Sequence, residues 1–381
     1  MIYLDNAATT WPKPPSVKAA MAYALERYGA NPGRSGHALS LDTARAVYRC
    51  REVAAEFFGL DDPSRVIFTP NCTASLNIVI KGLLMLGGHA VISDLEHNSV
   101  VRPLEALAEN GVEYSVASVV EGDDERTVEN FKKCLRPTTK LILCTHASNV
   151  FGTVLPIAKI GKLARESQIP FAVDAAQSAG ILPINMEQDE IDYLCVPGHK
   201  GLYGPMGTGL LLCRDRRELY TLMQGGTGSR SLSLVQPHEL PDRLESGTIN
   251  VPGICGLEAG VRWVNRQNVD AVRYHETRLV RQLYDSLCRL PAAELYTEEP
   301  SVQPGAPLLS FNVVGRKSEE VAALLSNEGI AVRAGLHCAP MAHRRMGTLP
   351  SGTVRIAPSA FTTKEEIQKL IKILIKISRK P

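Results

Sequence analysis

Phe171-Ala172-Val173-Asp174-Ala175-Ala176-Gln177 and, downstream of it, Tyr193-Leu194-Cys195-Val196-Pro197-Gly198-His199-Lys200-Gly201 decide how this chain is read. Each opens with a short apolar run, the pattern of a strand buried on both faces of a parallel sheet. The first run ends on Asp174 and the second stops before a lysine flanked by glycines. An acid and an amine then stand at neighbouring strand ends, where open α/β sheets hold their ligands. A lysine there can condense with a carbonyl cofactor, and a carboxylate can pair with a protonated pyridine nitrogen so that the ring stores electrons. Taken singly, Lys200 reads as a solvated lysine and Asp174 as a helix cap. The pairing, and the company the two residues keep, decide otherwise.

The chain has 381 residues, room for two or three domains and a large core. Its formal net charge of +2, spread along the sequence, argues against a nucleic-acid footprint or a polybasic membrane surface. The start, Met1-Ile2-Tyr3-Leu4-Asp5, has no basic run leading into an apolar one, and no stretch approaches the ~20 apolar residues that span a bilayer. A soluble, cytoplasmic protein is expected. Nine cysteines are scattered without a C-x-x-C pair, so neither a disulfide framework nor a zinc cluster is indicated. Cys144 and Cys213 lie in apolar runs and read as small hydrophobes. Cys338 does not.

Working outward from Lys200, several polar turns follow apolar runs. Val66–Thr69 leads through Pro70-Asn71-Cys72-Thr73 into a helix expected over 76–86, and a helix N-terminus suits a phosphate dianion as well as an ordinary Thr cap. Ala90–Ser93 leads to Asp94-Leu95-Glu96-His97, and Leu141–Thr145 to His146-Ala147-Ser148-Asn149-Val150-Phe151-Gly152. Asn31-Pro32-Gly33-Arg34-Ser35-Gly36-His37 must be a loop, before a helix expected from about Ser40 to Phe58. A strand over 330–332 precedes Arg333-Ala334-Gly335-Leu336-His337-Cys338, read as an exposed loop that sets Cys338 apart from the other eight cysteines. Positive charge from Arg333, Arg355 and His337 favours a thiolate there, while His337 and His343 themselves read as solvated loop residues. Thr363-Lys364-Glu365-Glu366 is a capping box opening an amphipathic helix.

The order D-x-A-Q then G-H-K-G, with E-H-N-S at Glu96–Ser99 and H-x-S-N-x-x-G at His146–Gly152, resembles the pyridoxal phosphate (PLP) site of class V aminotransferases and cysteine desulfurases. The resemblance runs from Tyr3-Leu4-Asp5-Asn6-Ala7-Ala8-Thr9-Thr10 to Arg355. R-x-G-x-H-C at 333–338 is similar to the cysteine segment of type II (SufS-like) cysteine desulfurases and selenocysteine lyases. It implies an α/β protein of PLP-dependent transferase fold type I. A large domain, 15–255, would hold a mixed, mostly parallel sheet, and residues 1–14 with 256–381 a smaller α+β domain carrying the catalytic cysteine and the substrate-carboxylate arginine.

By the same resemblance Lys200 is the Schiff-base lysine, His97 stacks on the ring and moves protons, and Asp174 and Gln177 contact the cofactor. Cys72, Thr73, His199 and Thr248 bind its phosphate, Thr248 from a neighbouring subunit of a homodimer with shared sites. Arg355, Asn149, Asn6, Ala7 and Arg333 face the substrate, and Cys338 is the nucleophile. Two positions depart from the family: Cys72 replaces a residue of the phosphate loop, and Pro197 stands where related chains carry a serine. The implied activity converts L-cysteine or L-selenocysteine to alanine, with a Cys338 persulfide passed to a sulfur-acceptor protein, as in iron–sulfur cluster assembly. Another class V PLP reaction (selenocysteine cleavage, cysteine β-elimination, epimerisation, transamination) and a non-catalytic sulfur-delivery protein are the alternatives.

Overall fold

The computed structural model describes residues 1–33, 36–300 and 305–378; Arg34 and Ser35 of the expected loop lie outside them. β1 (Ile2–Tyr3) is followed by α1 (Pro15–Arg27) and α2 (Ala38–Phe58). Alternating elements come next: β2 (Val66–Thr69), α3 (Cys72–Leu84), β3 (Gly88–Ser93), α4 (Asn98–Ala108), β4 (Val112–Ala117), α5 (Asp124–Lys133), β5 (Thr139–Thr145), α6 (Ile157–Glu166) and β6 (Phe171–Asp174). β7 (Tyr193–Pro197) and β8 (Gly209–Cys213) complete the large sheet. After α7 (Val251–Gln267) and α8 (Val269–Leu287) come β9 (Ala293–Leu295), β10 (Leu309–Val313), α9 (Ser318–Asn327), β11 (Ile330–Ala331), β12 (Arg333–Gly335), α10 (Pro340–Arg345), β13 (Thr353–Ile356) and α11 (Lys364–Ser378). No described helix is long and apolar enough to cross a membrane.

The seven strands of the large sheet lie in the order β2-β8-β7-β6-β5-β3-β4. β8 alone runs against the others, pairing antiparallel with β7 and with β2. β5, β6 and β7 have apolar centres because helices cover both faces: Leu141, Ile142, Leu143, Phe171, Val173 and Leu194 have no exposed surface. Each such side chain contributes about 1.5–3 kcal/mol by leaving water. The second core belongs to the antiparallel sheet β12-β13-β10-β9 with α8, α9 and α11. α11 opens with the expected capping box, Thr363 N on Glu366 Oε2 and Glu366 N on Thr363 Oγ1.

α7 buries Ile254, Leu257 and Val261 in the large core, whereas α8 buries Leu279, Val280 and Leu283 in the small one. The change falls at Asn268, which we propose as the domain boundary in place of residue 255. The N-terminal segment crosses that boundary. β1 pairs in parallel with β11, Ile2 opposite Ile330, and Ile2 and Leu4 sit in the small core.

Some local expectations shift. α3 starts at Cys72 because Asn71 caps it, accepting from Ala74 N at 2.9 Å. α2 starts at Ala38 with the His37 ring accepting from Ser40 N. Arg333–Gly335 is strand rather than loop, since β13 supplies an antiparallel partner, Arg333 opposite Arg355, that no local pattern announces. Cys338 is not the only exposed cysteine, because Cys288 at the end of α8 is exposed too and Cys134 is half-buried.

Candidate active site

β2, β3, β5, β6 and β7 point the same way, so their C-terminal ends share one edge of the sheet. That edge receives Cys72 and Thr73 after β2, His97 after β3, Asn149 after β5, Asp174 at the end of β6, and His199 with Lys200 after β7. Stretches far apart in sequence therefore converge on one crevice.

Lys200 sits on a turn that only glycines permit. A Cβ on Gly201 would lie 2.3 Å from the Ala179 carbonyl oxygen, and one on Gly180 the same distance from that of Gly201. The carbonyl of His199, just before Lys200, accepts from Lys13 Nζ (2.7 Å), Thr9 Oγ1 (3.1 Å), Thr10 N (3.1 Å) and Thr10 Oγ1 (3.2 Å). Thr10 Oγ1 also reaches the Lys200 carbonyl at 3.0 Å. Burial pulls the Lys200 amine below its ordinary value, against the opposing pull of Asp174. An amine so placed is more readily neutral and nucleophilic.

Asp174 is almost fully buried, and its Oδ1 accepts from Ala176 N (2.9 Å) and from Cys72 Sγ (3.4 Å). Cys72 thus turns its thiol to the carboxylate. Burial first, then Asp174 itself, pushes that thiol well above its ordinary value, so it stays protonated and remains a donor. Both departures from the family pattern have a place in the fold: Cys72 at the first turn of α3, and Pro197 closing β7, where its backbone sits opposite Gly209.

Features that fit a phosphorylated pyridine aldehyde remain unpaired. Thr73 is exposed at the N-terminus of α3; Ala74 N is taken by the Asn71 cap and Ser75 N by the Asn71 carbonyl, which leaves the amides of Cys72 and Thr73 to an anion. His199 Nδ1 is buried without a partner, and burial pulls the ring down to about 4, so the imidazole is neutral. His97 caps α4 and its Nδ1 accepts from Ser99 N at 3.1 Å, which assigns the proton of the neutral ring to Nε2. Burial lowers its basicity as well. Gln177 Nε2 donates to the Ala7 carbonyl at 3.0 Å, bringing the opening segment to the same crevice. Asn6 is committed to structure, donating to the Ala357 carbonyl (2.9 Å) and accepting from Trp11 N (3.0 Å). Thr248 stands exposed, 3.4 Å from Asn31 Nδ2 and bonded to no other residue of the set.

The small domain brings the remaining groups. Arg355 is 1% exposed; Nη2 holds Asp5 Oδ1 (2.9 Å), Nη1 holds the Asn149 carbonyl (2.7 Å), and Nε is buried with no partner. A sealed guanidinium with a spare N–H is suited to a carboxylate. Across the β12–β13 ladder, Arg333 places Nη2 3.8 Å from the Sγ of Cys338. His337 and Cys338 both have left-handed backbones, φ 48° and 58°, which for residues other than glycine cost about 1–3 kcal/mol each. His337 is not solvated. It is 3% exposed, bonds the Thr353 carbonyl through Nε2 (3.0 Å) and stacks on buried His343 with ring centroids 5.8 Å apart. Burial drives their basicity down to about 3 and about 4 respectively.

Lys13, Asp5, Asn98 and Glu96 are given no role when the sequence is read for function, although Glu96 and Asn98 stand in the E-H-N-S motif. Asp5 lies inside the opening motif, which is its signal; Lys13, between two prolines, has none. Glu96 is fully buried. Its Oε1 accepts from Ser93 N (3.3 Å), the Ser93 hydroxyl and Thr145 N (2.9 Å), tying β3 to β5 behind His97. Burial pushes its carboxyl up to about 8, so it is held in the acid form.

A family model described as aminotransferase class-V matches residues 2–370. A probable cysteine desulfurase of Methanothermobacter thermautotrophicus is 33% identical over 386 aligned positions, covering 99% of this chain and 94% of that protein. The apo structure of the cysteine desulfurase from Thermococcus onnurineus NA1 superposes with a TM-score of 0.91 at 32% identity, covering 99% of this chain and 94% of the other. The cysteine desulfurase CsdA from Escherichia coli, in an S-sulfonic acid form, gives 0.87 at 25% identity, covering 98% and 94%. With a lysine and an aspartate at adjoining strand ends and relatives aligned nearly end to end, the chain belongs to the class-V aminotransferase family.

Proposed function

We propose that the protein is a PLP-dependent cysteine desulfurase that converts L-cysteine to L-alanine and keeps the sulfur as a persulfide on Cys338. The observation that carries this reading is an exposed thiol on a small-domain segment, bonded to the large domain at Asn149 and at the first amide of α4, beside His97. An idle surface cysteine needs no such ties.

Pyridoxal phosphate, when bound, supplies the sink for the electron pair released at the substrate Cα. Lys200 would hold it covalently, Asp174, to which Cys72 donates, would pair with its ring nitrogen, and His97 and Gln177 would contact the ring. Thr73, the first amides of α3 and the neutral His199 receive the phosphate. Arg355 takes the substrate carboxylate through its free Nε, with Asn149, Asn6, Ala7 and Arg333 around it. Lys200, made less basic by burial, would remove the Cα proton. Cys338 Sγ then attacks the substrate sulfur. The S–S bond forms as the substrate Cβ–S bond breaks, the carbon keeps the electron pair and takes a proton, and the thiol proton balances the persulfide. L-cysteine plus thiol becomes L-alanine plus persulfide with no outside oxidant. L-selenocysteine is the chemical alternative at the same position.

Segment 214–250 has little regular structure and exposes Met223, Leu232, Leu234 and Val235. Such a surface suits a second copy of the chain, and Thr248, whose hydrogen bond is to Asn31 and not to the other phosphate residues, would serve that copy's cofactor. The reading includes a cytoplasmic homodimer whose persulfide passes to a sulfur-acceptor protein. PLP-loaded protein given L-cysteine should form alanine in step with a persulfide on Cys338. Cys338→Ala should keep its cofactor and lose both products. Pyruvate without persulfide, or full turnover by Cys338→Ala, overturns the proposal.

A further inference from the structure

Two consecutive left-handed residues form the turn that carries Cys338, and each hands its carbonyl to the large domain. The Cys338 carbonyl accepts from Asn98 N at 2.8 Å, and the His337 carbonyl from Asn149 Nδ2 at 2.7 Å. Asn149 is 9% exposed, so water replaces that donor poorly. Its own main-chain carbonyl accepts from Arg355 Nη1, whose neighbouring Nη2 is on Asp5. One unbroken run of bonds thus leads from Asp5 through Arg355 and Asn149 to the residue next to the thiol.

We propose that Asn149 is a positioning residue for Cys338: its carboxamide N–H latches the His337 carbonyl, holds the left-handed turn, and couples the carboxylate clamp to the nucleophile. The proposal deepens the desulfurase reading and rests on it for the role of Cys338. The latch itself is a property of the chain. The His337 ring, bonded to Thr353, fixes one side of the turn within the small domain, while the Asn149 and Asn98 bonds, together with Ala339 packed in the large core, register it against the large one. A carboxamide is the right group here. An isosteric carboxylate fills the same space but sets oxygen against the carbonyl oxygen.

The test compares PLP-loaded wild type with Asn149→Asp and Asn149→Ala by hydrogen exchange over 336–341 and by steady-state alanine formation. The Ala339 amide, which closes the turn on the Leu336 carbonyl, should exchange at least about ten times faster in both variants, with Asp the worse. The kcat for alanine should fall by about thirty-fold or more in both variants, over and above any rise in KM for L-cysteine from the substrate carboxylate that Asn149 also faces. Asn98→Pro is the second variant, because proline is favoured at the first position of a helix and removes the other donor without disturbing α4. It should give the same signature at smaller size. Unchanged exchange in Asn149→Asp, or a loss confined to KM, overturns the latch. If Asn149→Asp fails to fold, unchanged exchange in Asn149→Ala decides against it instead. The exchange arm reads out without turnover, so absence of alanine from the wild type would reject the desulfurase reading and leave the latch still decided.

Discussion

Lys200 and Cys338 are held in opposite ways. The peptide before Lys200 is gripped by four donors on one carbonyl and by glycines packed against backbone, all at the buried edge of a sheet. Cys338 is exposed, its backbone is strained, and it is registered by single bonds that cross from one domain to the other. The difference suits the tasks proposed for them. A lysine that carried the cofactor would return to one place every turnover, whereas a sulfur carrier would accept its cargo inside and give it up outside.

The comparison breaks most sharply at the two reactive groups. Lys200→Ala should lower alanine formation by ~10³-fold or more, the scale lost with a positioned base. Cys338 in that variant should still alkylate with iodoacetamide at the wild-type rate; a slowed rate would mean the two halves are not independently built. Next in size, Asp174→Asn should cost about a hundred-fold in alanine formation. Cys72→Ala, which removes only the weak S–H donor, should cost a few-fold, with a shift in the pH dependence of the cofactor's visible absorption. Equal losses in the two would place Cys72 itself at the chemistry.

Lys13 sharpens the contrast further. Burial with no carboxylate partner among the described residues brings its ammonium down to about 8, yet it is spent on the His199 carbonyl. Lys13→Met should slow capture of pyridoxal phosphate by the cofactor-free protein about ten-fold, as a loss of pre-organised geometry does. Exchange at 336–341 should not change. The smallest effect concerns Glu276, buried on α8 with Tyr203 OH 3.4 Å from its Oε1. Burial raises its carboxyl from 4.5 to about 8, so between those values the folded chain holds a proton that the unfolded chain has released. Stability therefore falls as pH rises across that window. Glu276→Gln should gain on the wild type in melting temperature between pH 5 and pH 8; a constant offset would mean that the carboxyl is not buried in its acid form.

What was legible in the sequence was whatever repeats locally. Apolar runs such as Phe171–Val173 and Leu210–Leu212 announce strands buried on both faces, and polar turns after them announce the crevice at their ends. Strand-end placement singles out Lys200 and Asp174, whereas His97 and Asn149 stand out through the motifs that resemble the family's. The Cys338 segment resisted. β12 exists only because β13 lies beside it, and His337 is buried only because His343 and Thr353 fold over it. Contacts between residues hundreds of positions apart, such as Lys13 with His199 and Asn6 with Ala357, leave no periodic trace. Cys72, a departure from the family pattern, showed its partner only once Asp174 lay opposite it.

The pairing of Ile2 with Ile330 has a further consequence for biosynthesis. β1 leaves the ribosome long before β11 exists, and at ordinary elongation speeds the wait is roughly 20 to 60 s. Throughout it Ile2 and Leu4 have no core to enter, and Thr9, Thr10 and Lys13 can meet Lys200 and its neighbour only after more than half the chain is made. The large sheet can be complete while the segment that clamps its lysine is still adrift, so docking of the N-terminus is expected to be the last event of folding and the step a chaperone would protect.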